Sequence, residues 1–482
     1  MLDVCSGDAL EWLLCEPYVG LEFPKARSAT FCFFMPRSLA ELEASEITSP
    51  DTELNINAFV RRVRQVAPMA KEISISLIAS RSDDTRFPID LLGSLVSQLG
   101  QHAVDLDYKF GYQPAIVDLQ LCGLRRLTYC SLDATDDGQR IMQLVRNNAA
   151  TLQVLELSVH AFTDMAGLIR CPDGSYVQYP YLQTLRLQDQ PGVDAPHMLE
   201  FPGAVPFPSL RRLALDRGFY FSDDTVFRGN SATLEYLSLN LSSHVTMILR
   251  NHRVFAPLSH PKLHYVDIAV DDDPEPGLFE TEIDFLRFMM SIGPSAPART
   301  IRGALGVTEI QSAIPVFGEY ACIQVLRLTS VKLNLWDAIA LIKALPLLSD
   351  LHAPFPDLGP LPRGVAKHKL PAYVIANYAP TGKRFRRWVC ELGSGSTIKK
   401  IVRCVLLLAL VCPNFDYAAV DITNRDTIMA HMKRMITTDG FRPHALRLRR
   451  LLFGGYENEI PSLKTIRQRM EQYARRRHQQ IE

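Results

Sequence analysis

Aliphatic residues recur along the chain in a six-residue block, at its first, fourth and sixth positions. The blocks begin at Leu152, Leu182, Leu210, Leu234, Leu263 and Ile323. The first five starts are 30, 28, 24 and 29 residues apart. Because side chains alternate between the two faces of a strand, the fourth and sixth positions lie on one face. The blocks therefore predict short strands centred near residues 155, 185, 213, 237, 266 and 326, stacked in one parallel sheet.

The segments between the blocks have helical periodicity where they are long enough. Apolar residues spaced three and four positions apart predict helices at 136–148, 280–290 and 337–345, the last after a capping residue, Asn334. A weaker repetition extends upstream, with strands expected at 73–77, 104–108 and 124–127 and a helix at 89–99. Downstream, Leu348 and Leu351 are expected to close the regular part. Strands that alternate with helices indicate the α/β class.

One block with its helix cannot bury its own apolar face, so neighbouring units have to stack. The block spacing is at or just beyond the range of leucine-rich repeats. Chance matches in a leucine-rich chain are the alternative, and the ordered spacing argues against them. We predict an irregular leucine-rich-repeat solenoid of horseshoe-like form. Its parallel strands would line the concave face, and its helices and loops the convex face.

The blocks resemble the irregular leucine-rich repeats of the F-box/leucine-rich-repeat proteins, particularly the large fungal sets. The resemblance covers residues 60 to 350, and the stretch 412–455 is similar to the closing repeat of those chains. One departure is that the asparagine of regular repeats, nine residues into the block, is absent. The residues in its place are His160, Gln190, Gly218, Ser242 and Asp271. Without that asparagine ladder we expect uneven turns and irregular curvature.

A second departure concerns the F-box, the helical module that docks the adaptor of a ubiquitin ligase in such proteins. The segment from Val4 to Leu14 matches at most the last helix of an F-box. Either the protein never had the module or the sequence begins downstream of it. Docking of a ubiquitin-ligase adaptor is therefore expected only if an F-box lies upstream.

The expected organisation has four parts. They are an N-terminal cap or F-box remnant at 1–60, irregular leucine-rich repeats at 61–360, basic C-terminal repeats with a cap at 361–460, and a basic tail at 461–482. The formal net charge of the 482 residues is zero, but the charges are unevenly placed. Residues 361–482 hold 23 Lys+Arg and 9 Asp+Glu, whereas residues 1–360 hold 29 and 43. An acidic body thus carries a basic C-terminal quarter.

Cysteine usage and hydropathy indicate an intracellular protein, cytoplasmic or nuclear. The ten cysteines include no C-x-x-C pair, and acidic residues stand near the N-terminus where a secretion signal needs basic ones. We therefore expect reduced, mostly buried thiols. The most apolar run, 405–412, is far shorter than the roughly 20 residues that span a bilayer, so no membrane association is expected.

Motifs that carry chemistry are missing from the sequence. No phosphate loop or H-E-x-x-H motif occurs. His260 and His264, with His252 nearby, have a spacing that suits zinc on a helix, but Pro261 disfavours a helix there. The acidic run 271–275 lacks the spaced oxygens and the glycine of a calcium loop. We expect no catalytic residue, no metal and no cofactor.

Solenoids usually bind partners through the strand residues that alternate with the core leucines. Tyrosine and arginine tend to anchor interfaces, and both occur at these positions. The alternative is that all of these residues are ordinary solvated strand residues. The predicted partner-binding residues on the concave face are Glu156, Arg186, Gln188, Arg212, Asp216, Tyr236, Asn240, Tyr265, Asp267 and Arg327.

A basic patch is predicted in the C-terminal quarter. Clustered arginine beside Phe385 and Trp388 would suit nucleic acid, but those aromatic residues alternate as strand residues do. A role in neutralising the acidic body or its partner is favoured over nucleic-acid binding. The predicted patch residues are Lys383, Arg384, Arg386, Arg387, Arg447, Arg449 and Arg450.

The sequence thus favours a non-enzymatic module that recognises another protein. The resemblance implies that it recruits substrates in the setting of an F-box-like ubiquitin ligase. The alternative is a leucine-rich-repeat scaffold or inhibitor unrelated to ubiquitin. A third hypothesis, disfavoured by the missing motifs, is an enzyme with its site between the repeats and the C-terminal part.

Overall fold

The computed structural model describes part of the chain. The described residues are 2–5, 28–34, 72–78, 103–110, 121–131, 138–159, 165–171, 173–189, 197–199, 206–216, 219–221, 225–241, 260–270, 281–303, 310–329, 331, 333–354, 358–391, 398–420, 425–437, 441–442 and 452–455. They divide between two compact units, Met1–Ile323 and Gln324–Glu482. The segmentation at residues 60, 360 and 460 stays a prediction.

The first unit is built on parallel strands that follow one another through the sheet in chain order. All strand pairs in its sheet are parallel, which confirms the predicted α/β class with a parallel sheet. Two further strands, His197–Leu199 and Phe219–Phe221, form a separate parallel pair. The strands of this unit are β1 (Leu2–Cys5), β2 (Ser28–Phe34), β3 (Glu72–Ile78), β4 (Ala103–Phe110), β5 (Arg126–Ser131), β6 (Val154–Val159), β7 (Thr184–Asp189), β8 (His197–Leu199), β9 (Arg212–Leu215), β10 (Phe219–Phe221), β11 (Tyr236–Leu241), β12 (Tyr265–Val270) and β13 (Ala298–Gly303).

Helices fill several of the connections between these strands. They are α1 (Gly138–Asn147), α2 (Thr225–Gly229), α3 (Glu282–Ser291) and α4 (Ile310–Gly318), with a short 3-10 helix at Met165–Leu168. The helices predicted at 136–148 and 280–290 are confirmed within a few residues at each end. Thr281 begins α3 because its hydroxyl accepts from the backbone N–H of Asp284. The helix expected at 89–99 lies outside the described residues.

The second unit repeats the alternation of strands and helices. Its described strands are parallel wherever a pair of them is registered. The predicted cap is confirmed, since the Asn334 side chain accepts from the N–H groups of Trp336 and Asp337. The elements are β14 (Val325–Leu328), α5 (Leu335–Ala344), β15 (Asp350–Pro354), α6 (Leu370–Tyr378), β16 (Arg387–Glu391), α7 (Ile398–Val411), β17 (Tyr417–Val420), α8 (Arg425–Ile436) and β18 (Leu452–Gly455).

The predicted register of the leucines is confirmed. Leu155, Leu185, Leu213 and Leu237 are directly opposite one another on successive strands. Each is at most 1% exposed, so these side chains form one continuous column through the core of the first unit. Such a column buries the apolar face that a single repeat leaves open.

A common turn leads into many of the strands, among them β6, β7, β9, β11 and β12. The first leucine of a block donates its backbone N–H to a carbonyl three or four residues earlier, as in Leu152 to Asn148 and Leu263 to His260. The side chain of Asn148 reinforces this turn by accepting from the Leu124 N–H and donating to the Leu121 carbonyl, both at 2.8 Å. Buried polar backbone groups of neighbouring repeats are satisfied in this way.

The repetition continues beyond the last leucine block with aromatic residues in place of leucines. In the second unit, Phe385 and Phe415 occupy the position of the first leucine, each donating its N–H to a carbonyl three residues earlier. Their rings are stacked with centroids 5.3 Å apart, and Trp388 takes the place of a core leucine in β16. The leucine pattern therefore ends near Leu351, and strands with aromatic residues in the leucine positions follow it.

The strand β13 was missed, because its sequence lacks the leucine pattern. Arg299 stands opposite Val266, at a core position, and is 1% exposed. Its guanidinium donates to the Ile292 carbonyl at 3.0 Å and to the Gly293 carbonyl, and it faces the Tyr320 ring. Burial lowers the pKa of Arg299 to about 10. These contacts at the end of α3 hold an arginine where the other repeats have an aliphatic residue.

The structure describes only a small part of the segment for which a remnant F-box helix is expected. Val4 and Cys5 lie in β1, a strand paired with β2, so a remnant F-box helix that includes them is wrong. The rest of that segment, residues 6–14, lies outside the described residues. The five positions at which the asparagine ladder is missing, and the tail at 461–482, lie outside them as well.

Candidate functional site

The strands of the first unit present a second face, whose residues alternate with the buried leucines. We call it the polar face. Registered neighbours form rows across it, and one row runs along residues Thr128, Glu156, Arg186, Ala214, Ser238, Asp267 and Thr300. Adjacent members of a row are separated by the strand spacing of about 4.8 Å. The predicted site residues of this unit therefore lie side by side on one surface.

Two tyrosines form the centre of the polar face. Tyr236 and Tyr265 are registered neighbours, and their rings are stacked with centroids 5.1 Å apart and planes 8° from parallel. The Tyr265 hydroxyl hydrogen-bonds the Thr300 hydroxyl at 2.7 Å. Burial, followed by the nearby charge of Asp267, raises the pKa of both tyrosines. Both hydroxyls therefore keep their protons at neutral pH.

An ion pair between Arg302 and Asp267 lies on the polar face near these rings. Arg302 donates to the two carboxylate oxygens of Asp267 at 3.0 and 2.5 Å. Asp267 is only 4% exposed, whereas about half of the Arg302 side chain is exposed. Burial opposes ionisation of Arg302, but the hydrogen bond and charge of Asp267 outweigh it and raise the pKa of Arg302.

These contacts correct the expected exposure of two predicted binding residues. Tyr265 is only 7% exposed and Asp267 is 4% exposed, so neither presents its side chain freely to solvent. The reason is β13, which sequence analysis missed and which supplies Thr300 and Arg302 as their partners. Tyr265 and Asp267 thus hold Tyr236 and Arg302 in place.

Arg186 and Arg212 are exposed on the polar face beside Tyr236 and the pair of Asp267 and Arg302. Glu156, the registered neighbour of Arg186, forms no ion pair with it in the described part of the chain. With the Gln188 amide oxygen turned toward it, Gln188 accepts from Arg186 at 2.6 Å. The guanidinium is therefore oriented along its own strand and is available to a partner's carboxylate.

Small side chains form a floor between the charged groups. Ala214 and Ser238 separate Arg186 from Asp267 in the row, which places these two three strand spacings apart. On one side, Asn240 donates to Asp216 at 2.7 Å, and both are half-buried. The Asn240 side-chain oxygen is buried without a hydrogen-bond partner in the described part of the chain. We call this area the polar depression.

The remaining predicted residues belong to the second unit. Arg327 is half-buried in β14, in register with His352. Lys383, Arg384 and Arg386 are exposed, which agrees with a basic surface there. Arg387 is half-buried, with its guanidinium 5.2 Å from the centre of the Tyr417 ring. The other patch residues, Arg447, Arg449 and Arg450, lie outside the described residues.

The aromatic residues beside this patch are not available for stacking on bases. Phe385 and Trp388 are fully buried. They belong to the core of the second unit, as the strand-like alternation in the sequence indicates. The exposed cations in 383–388 therefore have no exposed aromatic ring of the same segment beside them on which a base could stack.

The segment from His260 to His264 does not form a helix. His260 lies in a turn, is 5% exposed, and hydrogen-bonds the Phe227 carbonyl at 3.3 Å. Among the described residues, no three His, Cys, Asp or Glu side chains are grouped as metal ligands would be. Six cysteines in the described ranges, among them Cys122 and Cys322, form no disulfide.

No model of a known protein family matches the chain, and no curated protein is measurably similar to it in sequence. Within the described residues, no helix combines the length and apolar character needed to span a bilayer. The polar face of the first unit and the surface of the second unit are therefore interpreted from their own geometry.

Proposed function

We propose that the chain is a non-enzymatic recognition module whose polar face binds another protein. The observation that carries the proposal is the arrangement of Arg186, Arg212 and Tyr236 on a sheet, with Tyr236 stacked on a tyrosine that is itself hydrogen-bonded. Arginine and tyrosine are the residue types that most often dominate interface energies. Side chains fixed before binding lose less conformational freedom when a partner docks.

The charge pattern favours a protein partner over a nucleic acid. Around the polar depression, three acidic and three basic side chains are present. They are Glu156, Asp216 and Asp267 against Arg186, Arg212 and Arg302. A phosphate backbone requires a surface of one positive sign, whereas mixed charges give register and specificity against another protein.

The cellular setting is part of the same proposal. We place the protein inside the cell, in the cytoplasm or the nucleus, and the absence of a disulfide among the described cysteines supports this. In the setting of a ubiquitin ligase, the polar face would hold the target. A scaffold or inhibitor unrelated to ubiquitin would use the same surface. Co-purification of a ubiquitin-ligase adaptor with the full-length protein distinguishes the two.

Site-specific photo-crosslinking tests the proposal directly. A photoreactive amino acid, p-benzoylphenylalanine, is placed at Arg186 on the polar face or, as a control, at Tyr181, which is 60% exposed in the turn before β7. We expect the Arg186 variant to form discrete protein adducts in cells and the Tyr181 variant to form none of them. Identical adducts from both positions would contradict the proposal.

A further inference from the structure

A cleft of about 430 Å³ opens in the second unit, beside the last turns of α5 and α6. Ile342, Lys343 and Pro346 line it on the α5 side, and the segment Asn377–Lys383 lines it on the α6 side. Its volume falls in the range of small-molecule sites, about 300–1,000 Å³. All of its lining residues belong to the described part of this unit.

The wall of the cleft is fixed by local sequence. α6 ends at Tyr378, ahead of Pro380, which cannot continue a helix. Gly382 has a φ of +57°, and a Cβ there would collide with the Ile342 side chain, so only glycine allows the loop to pack this closely on α5. The Thr381 N–H donates to the Val411 carbonyl at 2.8 Å, and its hydroxyl donates to the Tyr378 carbonyl. The cleft is therefore preformed.

The charge of the lining has a single sign. It includes Lys343 and Lys383 and no acidic residue. Neither ammonium group has an ion pair or a hydrogen bond within the part of the chain that the structure describes, and both side chains are exposed. The backbone of Lys383 is held, since its carbonyl accepts from the Asn414 amide at 2.5 Å. The sequence of this unit, residues 324–482, is basic as well, with 26 Lys+Arg and 12 Asp+Glu.

An aromatic cluster adjoins the cleft through Tyr378, which belongs to the cleft lining. The Tyr378 ring lies 5.7 Å from the Trp336 ring and 6.5 Å from the Tyr373 ring. Trp336 is oriented by its indole N–H, which donates to the Pro360 carbonyl at 2.9 Å. All three rings are half-buried, so one side of the cluster remains open. Open aromatic faces and edges attract a further ring.

We propose that this cleft binds an aromatic phosphate monoester, with the phosphate between Lys343 and Lys383 and the ring against Tyr378 and Trp336. Two ammonium groups match the charge of about −1.5 to −2 that a phosphate monoester carries at pH 7. Lysine is suited to phosphate as a point charge without the fork geometry of arginine. Asn377 and Thr381 supply neutral polar groups in the same lining. The site is independent of the polar face of the first unit.

Titration of the full-length protein with phenyl phosphate tests this assignment, read by calorimetry and by intrinsic fluorescence. The sequence has three tryptophans, and Trp336 is the one whose ring neighbours the cleft residue Tyr378. We expect saturable binding with a fluorescence change that Trp336→Phe removes. The double variant Lys343→Gln/Lys383→Gln should bind about tenfold more weakly. Inorganic phosphate should also bind about tenfold more weakly than phenyl phosphate.

A matched control separates the site from the general basic charge. Lys367→Gln/Lys369→Gln removes the same two charges from exposed positions just before α6 that do not line the cleft. It should bind phenyl phosphate like the unmodified protein, and Ala379→Leu, which fills the cleft and keeps both lysines, should not bind. A phosphotyrosine tripeptide that binds more tightly than phenyl phosphate would identify a protein-borne phosphate as the source. Absence of saturable binding, equal binding of inorganic phosphate, or equal loss in the control variant would overturn the assignment.

Discussion

Arg302 reaches diagonally across the sheet to Asp267, although its registered neighbour on β12 is Ala269. A carboxylate that is only 4% exposed thereby gains two charged hydrogen bonds. The pair covers Asp267 and leaves part of Arg302 facing solvent, so it shapes one end of the polar depression.

Removal of one partner of this pair should destabilise the first unit. Arg302→Ala leaves the Asp267 carboxylate buried without its cation, and we expect a loss of about 2 kcal/mol in the free energy of unfolding. Urea unfolding measures it. The matched control is Arg211→Ala, since Arg211 pairs with Glu235 at 3.7 Å and the Glu235 carboxylate is far less buried than that of Asp267, with 33% of its side chain exposed against 5%. That variant should lose about 0.5 kcal/mol or less. Equal losses in both would show that burial of Asp267 has no consequence.

The alternation along β9 predicts opposite results at adjacent positions. Leu213 is fully buried in the leucine column, whereas Arg212 is exposed on the polar face. Leu213→Asp places a charge among apolar neighbours and should cost on the order of 4 kcal/mol. Arg212→Asp should change the urea midpoint only slightly. A tolerated Leu213→Asp would contradict the register on which the repeat fold depends.

The raised pKa of Tyr265 predicts a loss of stability in alkali. The unfolded tyrosine loses its proton near pH 10, before the folded one does, because burial raises the pKa of Tyr265. Its contribution to stability is therefore complete below about pH 10 and declines as the pH rises further. Tyr265→Phe should show a shallower alkaline decline in urea midpoint than the unmodified protein. The control Tyr181→Phe should leave the slope unchanged, and an unchanged slope in Tyr265→Phe would contradict this account.

The fold of the first unit is largely readable from the sequence, because one physical requirement repeats. Each strand has to place leucines on one face, and the blocks beginning at Leu152 and Leu210 show this directly. β13 could not be found in this way. Its core position holds Arg299, whose burial depends on carbonyls at the end of α3 that only the folded chain brings near. Aromatic residues hide the later repeats in the same manner, since Phe385 and Trp388 replace leucines.

The sequence predicts which strand residues share the polar face, but it does not predict the contacts among them. Period-two alternation places Arg186 and Tyr236 on the polar side of their strands. Exposure depends on cross-strand partners, and those of Tyr265 and Asp267 come from the strand that was missed. One usable signal was overlooked, the sequence N-x-x-T-L at Asn148 and again at Asn230, where the asparagine side chains support the turn before a strand. The cleft of the second unit depends on the Gly382 loop and had no signal in the repeat pattern.

Quantitative affinity capture from cells, compared between two triple variants, tests most directly whether the polar face is the binding surface. The first variant carries Arg186→Glu, Arg212→Glu and Tyr236→Ala, with Tyr265 kept because it is part of the packing. The second carries the same types of change at exposed positions off the strands, Arg170→Glu, Lys262→Glu and Tyr181→Ala. Circular dichroism and thermal unfolding establish that both are folded. We predict that the first variant loses its main protein partners and that the second keeps them at the level of the unmodified protein. A folded first variant that captures the same proteins in the same amounts would contradict the account.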